Sequence, residues 1–492
     1  MKNGGSWTVA YSGVYATVHD LRAETFTKGY LVRRIAISGL VALAAVLGGV
    51  AVPATAMAGQ PTPAVARPAA TVRADIAAAA GADSSAMLRP SGLVAIRAAR
   101  TPAAASASAT GVGEPLISCV LTTDCLGVEG ASYTGSEGHP SVLARVARWN
   151  GSSWKGVGVA LPKGARSVEL NGVSCKGAKS CLVVGGYYTS TSLNTVTHVL
   201  ALSYNGTSLR PTPAVPLPKG ATDVALFSVS CATTRYCVAL GVAEGSSGTF
   251  GGSVPPLIIE TWNGAKWTLH TAAASIAKAA VLEPSAISCA TSAFCVLAGT
   301  ELLNVTSNSE STKVYVASWN GKKLTTMKPA AADDPEVTDV SCATASNCAV
   351  TGADAGEVTS GGTPSLGAFT EIWNGKTWQL AKVTWPKDTA LSATLSVSCY
   401  AAHACEAVGA DSASAAETAP FDAAAVSFDR AAGVVQAVPA PSKGHSTLFA
   451  DVSCLPWGDC VAVGKTGETT ASSGAVMTGV WNGKAWKLDP GF

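Results

Sequence analysis

Fourteen cysteines fall into seven pairs, each with five residues between its members, and the pairs recur about every 55 residues along the chain. They are Cys119 and Cys125, Cys175 and Cys181, Cys231 and Cys237, Cys289 and Cys295, Cys342 and Cys348, Cys399 and Cys405, and Cys454 and Cys460. Self-similarity at a fixed period marks a repeat architecture, in which each unit buries its apolar surface against its neighbours. One unit runs from "VSCATTRYCVALG" (Val229 to Gly241), through a Gly/Ser-rich stretch, to "ETWNGAKWTLH" (Glu260 to His270). Each half reads as a hairpin, with short β-branched runs flanking a few polar residues. The second hairpin turns at Asn-Gly, which is expected to supply the positive φ angles of a two-residue turn. At that place in the unit the dipeptide begins at Asn150, Asn205, Asn263, Asn320, Asn374 and Asn482. Four strands per unit and seven units predict an all-β fold, a seven-bladed β-propeller of four-stranded blades over residues 111–492, with one hairpin disulfide per blade.

Trp149, Trp262, Trp319, Trp373 and Trp481 precede the turn, and Trp154, Trp267, Trp378 and Trp486 follow five positions later. Large flat side chains at these places are read as packing between blades. The sixth unit departs most, with Phe428-Asp429-Arg430 in place of Trp-Asn-Gly, so its turn must be built differently.

Two cysteines at the ends of a five-residue connection face each other across a hairpin, where Cα atoms about 5.5 Å apart suit a disulfide. Closing so small a loop stabilises by roughly 2 kcal/mol in the chain-entropy model. Redox catalysis fits poorly, since a redox motif generally has two intervening residues, and a structural zinc site needs four ligands brought together. Disulfides require an oxidising compartment. Lys28, Arg33 and Arg34 precede the apolar run Ile35 to Val52, and Ala56-Met57-Ala58 follows it, which reads as a secretory signal peptide with cleavage near Gly59. A retained signal anchor is the competing reading, because eighteen apolar residues just span a bilayer. Residues 1–58 are therefore leader and signal peptide. Residues 59–110, rich in Ala, Pro and Ser, form a disordered linker that cannot bury a core.

The unit "VSC, five residues, C, then A-V-G", followed by "WNG..W", resembles a group of secreted actinobacterial β-propeller repeat proteins, mostly without assigned function. Its best matches are "VSCYAAHACEAVGA" and "VSCLPWGDCVAVGK", with "EIWNGKTWQL" and "VWNGKAWKL". The resemblance covers residues 112–492, implies a secreted propeller and carries no catalytic residues with it. Gly375-Lys376-Thr377-Trp378 has the spacing of the Asp-box hairpins of sialidase-like propellers, with Trp373 where that box carries Asp. The six arginines of the ring, Arg145, Arg148, Arg166, Arg210, Arg235 and Arg430, do not assemble into the carboxylate clamp a sialidase site needs.

With 34 basic and 32 acidic residues and no basic run, a nucleic-acid partner is not implied. No cofactor, metal or nucleophile motif occurs, and no further segment is apolar enough to span a membrane after signal cleavage. If the cysteine and Asn-Gly turns share one face of the ring, the connections between hairpins lie on the other. They differ from unit to unit, which is where binding usually resides. The candidate contacts there are Tyr133, His139, Tyr187, Tyr188, Glu244, Glu301, Asp354, Glu357, Asp411 and Glu468. The expected function is a monomeric, secreted, non-catalytic propeller that binds a cell-wall or extracellular glycan or protein. The alternative is an extracellular carbohydrate-active hydrolase or lyase whose acids converge over the central channel. How the ring closes is open, with residues 92–100 a candidate source of an exchanged strand. Thiol titration of the native protein without reductant should detect almost no free cysteine; several reactive thiols would contradict the disulfide reading.

Overall fold

The computed structural model describes residues 114–492, apart from 131–143, 166, 190–196, 220, 246–256, 273–280, 304–310, 331–334, 355–365, 415–418, 441–444 and 468–473. The leader, the linker and the candidate strand at 92–100 lie outside the described residues.

The chain folds as seven consecutive antiparallel sheets, each built in sequence order from one repeat. Blade 3 is representative, with strands Ala221–Thr233, Tyr236–Gly245, Leu257–Trp262 and Trp267–Ala272. The first strand of each blade packs against the first strand of the next, and the ring returns from Ser446–Cys454 of blade 7 to Leu116–Leu121 of blade 1. First strands therefore line the channel and fourth strands form the rim. Two blades gain a fifth, parallel strand: Gly158–Val159 joins the rim of blade 2 and Lys382–Val383 that of blade 6.

Both faces of each sheet are buried, which explains why the strands read as nearly continuous apolar runs. In blade 3, Val238, Leu240, Leu257 and Ile259 pack towards Leu282, Leu297 and Tyr315 of blade 4. The alternate residues Ala239, Trp262 and Trp267 pack towards Leu182, Val184 and Ala201 of blade 2. The paired tryptophans face each other directly, Trp149 on Trp154 and Trp262 on Trp267, with ring centres 5.3 and 5.2 Å apart.

The Asn-Gly turn is not the expected two-residue turn. Because the flanking residues five apart pair across the hairpin, four residues form the loop, and only the glycine takes positive φ, as at Gly151 (96°) and Gly264 (91°). The asparagine side chain holds the loop: Asn263 Oδ1 accepts the N–H groups of Ala265 and Lys266 at 3.0 and 2.9 Å. In blade 6, Asp429 pairs with Ala432, leaving the two-residue turn Arg430-Ala431, and Arg430 is the only non-glycine residue at positive φ among the described residues.

All seven disulfides form. Their Cα atoms lie 3.8 to 4.0 Å apart, closer than the expected spacing. The cysteines occupy the narrower, non-hydrogen-bonded kind of antiparallel pair, so the N–H of each first cysteine points away from its own sheet.

That N–H is taken by the preceding blade. Cys175 donates to Ser118 Oγ, Cys231 to Ser174, Cys289 to Ser230, Cys342 to Ser288, Cys399 to Ser341 and Cys454 to Ser398, all at 2.9 to 3.0 Å. Cys119 donates to Ser453 at 2.9 Å and closes the circle. The serine before each first cysteine is thus one link of a seven-membered ring of inter-blade hydrogen bonds.

Among the described residues no strand crosses the seam between blades 7 and 1, and side chains bridge it. Ile117 N–H donates to Asp451 Oδ2 at 2.7 Å, and Trp154 Nε1–H donates to Thr478 Oγ1 at 2.8 Å. Lys465, almost fully buried, lies 3.9 Å from Glu129 and 4.0 Å from Glu114, while Arg145 reaches Glu129 at 3.0 Å. Glu129 stands where the other six blades have glycine, four residues after the second cysteine. In those blades the first strand brings a carbonyl onto the glycine; a Cβ at Gly185 would lie 1.8 Å from Glu169 O. In blade 1 this position carries a side chain, and its carboxylate meets Lys465.

Removing one member of a buried ion pair strands the other. Lys465→Met should lower unfolding free energy by about 3 kcal/mol, and adding Glu129→Leu should recover most of it. Chemical denaturation of both variants tests this, and additive losses would contradict the pairing.

Candidate functional surface

In blades 1 to 5 the cysteine turn and the Asn-Gly turn lie side by side, as where Gly206 abuts Lys179, Gly264 abuts Arg235 and Gly375 abuts Ser346, and in blade 6 the N–H of Arg430 donates to His403 O at 2.8 Å. Both repeated turns therefore share one face, here called lower. The connections between second and third strands open on the upper face.

Four candidates sit at one height there. Tyr187, Glu301, Asp354 and Asp411 each lie six residues after the second cysteine of their blade, at the upper end of the second strand. Tyr187 pairs across the sheet with His198, and the two rings stack with centres 5.0 Å apart. Tyr188 is turned inward, its hydroxyl donating to Glu169 Oε1 on the first strand at 3.1 Å. Glu301 is opposite Lys313, and Asp354 is opposite Pro335 and Gly367. The backbone of Glu244 lies one residue before the end of the second strand of blade 3, opposite Asp223. Asp411 accepts a hydrogen bond from Thr389 Oγ1 at 3.3 Å; burial, then the charges of Asp422 and Asp388, push its carboxyl up to about 6. Tyr133, His139, Glu357 and Glu468 lie outside the described residues.

Several acids that sequence reading passed over are held inside the ring. Asp339, Ser396 and Asp451 come from the innermost strands of blades 5, 6 and 7. Ser396 Oγ lies 2.9 Å from Asp339 Oδ2 and 2.7 Å from Asp451 Oδ1. One hydroxyl proton cannot serve two carboxylates, so the arrangement calls for a proton on a carboxyl. Burial, reinforced by Asp339, pushes Asp451 up to about 7. This is the close acid pair beside the channel that hydrolase chemistry would require, but its oxygens are taken. Asp339 accepts from the N–H groups of Val340 (2.8 Å) and Val397 (3.0 Å), and Asp451 from those of Val452 (2.9 Å) and Ile117 (2.7 Å). The pair pins blades together. Its signal was present in sequence as "DVSC", twice, with serine at the same place in "SVSC" (Ser228 and Ser396).

Glu260, Glu371 and Glu406 are buried between blades, and neither oxygen of Glu260 has a hydrogen-bond partner among the described residues. Desolvation pushes Glu260 and Glu406 up to about 8 and Glu371 to about 7. Glu129 rises to about 7, burial outweighing the charges of Lys465 and Arg145. Among the described residues no group of three or more His, Cys, Asp or Glu side chains is placed to hold a metal ion, and no helix is long and apolar enough to cross a membrane.

No protein-family model and no curated protein matches the chain. Solved structures with a similar fold include a fucose-specific lectin from Aleuria aurantia, at 9% identity and a TM-score of 0.37, covering 77% of this chain and 94% of that one. A protein of unknown function from Dyadobacter fermentans aligns at 8% identity and a TM-score of 0.43, covering 64% and 94%. An α-L-arabinofuranosidase of Fusarium graminearum aligns at 12% identity and a TM-score of 0.41, covering 65% and 93%.

The buried carboxyls set a pH dependence. Their folded-state pKa values lie above the ordinary carboxylate range, so the folded protein binds more protons than the unfolded chain between about pH 4.5 and 8. The stability they contribute is full below that window and is lost as pH rises through it. The melting temperature should be higher near about pH 5 than near about pH 8.5, and Glu260→Gln should raise it at the alkaline end and flatten the slope. A melting temperature that climbs with pH over this range would contradict the assignment.

Proposed function

We propose that this chain is a secreted, non-catalytic propeller that binds a cell-surface glycan or protein through its upper rim. One observation carries the reading. The upper rim differs in chemistry from blade to blade, with a stacked Tyr187 and His198 on blade 2 and the Asp411, Asp422 and Asp388 group on blade 6, while the Asp339 and Asp451 pair of the channel wall has its oxygens occupied by backbone N–H groups. A rigid ring with varied connections on one face suits recognition. A planar aromatic offers a sugar a ring to stack on, and carboxylates elsewhere on the rim offer acceptors for hydroxyl groups. Seven disulfides favour an oxidising compartment, in keeping with the signal peptide read from residues 28–58.

The purified protein, screened against glycans and cell-wall polymers with product analysis of every hit, should bind without releasing product. Tyr187→Ala should weaken the binding by about tenfold, the effect of losing one stacked aromatic. Released saccharide, or a hit insensitive to substitutions at Tyr187 and Asp411, would overturn the proposal.

A further inference from the structure

The repeated turns form two concentric rings on the lower face, with disulfide turns near the channel and second-hairpin turns near the rim. Exposed cations gather there. Lys266, Lys322, Lys376 and Lys484 stand in the outer loops of blades 3, 4, 5 and 7, Arg430 takes that place in blade 6, and Lys179 lies over the outer loop of blade 2. Only three acids occur in these turns, and each is engaged. Asp124 pairs with Arg148, Asp429 lies 3.7 Å from Arg430, and Asp459 Oδ2 accepts from Trp457 Nε1–H at 2.9 Å. A net charge of +2 for the chain conceals this excess, because the cations are scattered singly along the sequence and the topology collects them.

The inner ring adds two apolar groups on adjacent blades. Trp457 is 60% exposed and Leu121 is 47% exposed. Trp457 is the only exposed tryptophan among the described residues, and it is fixed in place rather than loose. Its turn, Leu455-Pro456-Trp457-Gly458, is closed by Gly458 N–H donating to Leu455 O at 2.8 Å, with Gly458 at φ 97°, and the indole is tethered to Asp459. Proline in the second position and glycine in the fourth are what such a turn favours. No other blade has this turn sequence.

We infer that the lower face docks onto an anionic lipid bilayer. Cations around the edge of a disc-shaped face meet lipid phosphates across a plane, and attraction sums over them within a Debye length. A tryptophan and a leucine inside that ring reach headgroup depth, where an indole is favoured. A soluble anionic polymer is the poorer fit, since it would follow a groove of cations and leave Trp457 and Leu121 without a role. Docked this way, the upper rim faces outward, and the inference stands whether or not that rim binds a glycan.

Co-sedimentation of the protein as isolated tests this, with vesicles of phosphatidylcholine alone and of an equal mixture of phosphatidylcholine and phosphatidylglycerol. Binding should require the anionic lipid and weaken steeply as salt is raised. The variant Lys266→Glu/Lys322→Glu/Lys376→Glu/Lys484→Glu should lose at least about tenfold in partitioning, and Trp457→Ala about threefold or more. The wild-type salt titration decides independently of how the variants fold. Equal pelleting with both vesicles, no pelleting with the anionic ones at low salt, or retention by soluble polyphosphate without vesicle binding would each overturn the inference.

Discussion

A β-sheet presents unpaired N–H groups along its edge, and seven sheets arranged about a channel place seven such edges where water and neighbouring blades compete for them. Here each blade caps the next. The serine that precedes the first cysteine accepts the N–H of the following blade's first cysteine, from Ser118 with Cys175 round to Ser453 with Cys119. The disulfide makes this possible, since the cysteine pair sits in the non-hydrogen-bonded register and leaves its outward N–H available. One residue type, at one place in the repeat, thus links covalent closure within a blade to hydrogen bonding between blades.

The seam between blades 7 and 1 uses the same link and adds charge. Glu129 occupies space that a carbonyl fills elsewhere, and Lys465 and Arg145 meet it. Breaking one partner of a buried ion pair costs more than the intact pair contributes. Three carboxyls buried elsewhere between blades, Glu260, Glu371 and Glu406, have no ion-pair partner among the described residues and sit more comfortably with a proton. A ring whose interfaces hold neutral acids is tighter in mildly acidic surroundings than in alkaline ones.

Features that recur within one unit were legible in the sequence: the cysteine spacing and the paired tryptophans. Tyr187, Glu301, Asp354 and Asp411, expected in the connections between hairpins, instead stand at the upper ends of second strands. Features that join one unit to another were not legible. Ser230 and Cys289 lie 59 residues apart, and nothing local to either shows that they touch. The Asn-Gly loop was misread because the dipeptide alone suggests a two-residue turn, whereas pairing of Trp262 with Trp267 requires four residues and assigns the asparagine side chain to the loop's N–H groups. The cationic lower face was hidden for the same reason as the serine ring: Lys266, Lys322 and Lys376 are neighbours only once the blades are placed.

Division of labour between the faces follows from the construction. Turns that recur for structural reasons gather on one side and bring their lysines with them, while the connections free of that duty vary on the other. All of this rests on the serine ring, and hydrogen exchange of the backbone amides tests it most directly. The amides of Cys119, Cys175, Cys231, Cys289, Cys342, Cys399 and Cys454 should exchange slowly, and Ser453→Ala should speed exchange at Cys119 while leaving Cys289 protected. Rapid exchange at these seven amides in the unaltered protein, or no change at Cys119 in the variant, would contradict the account.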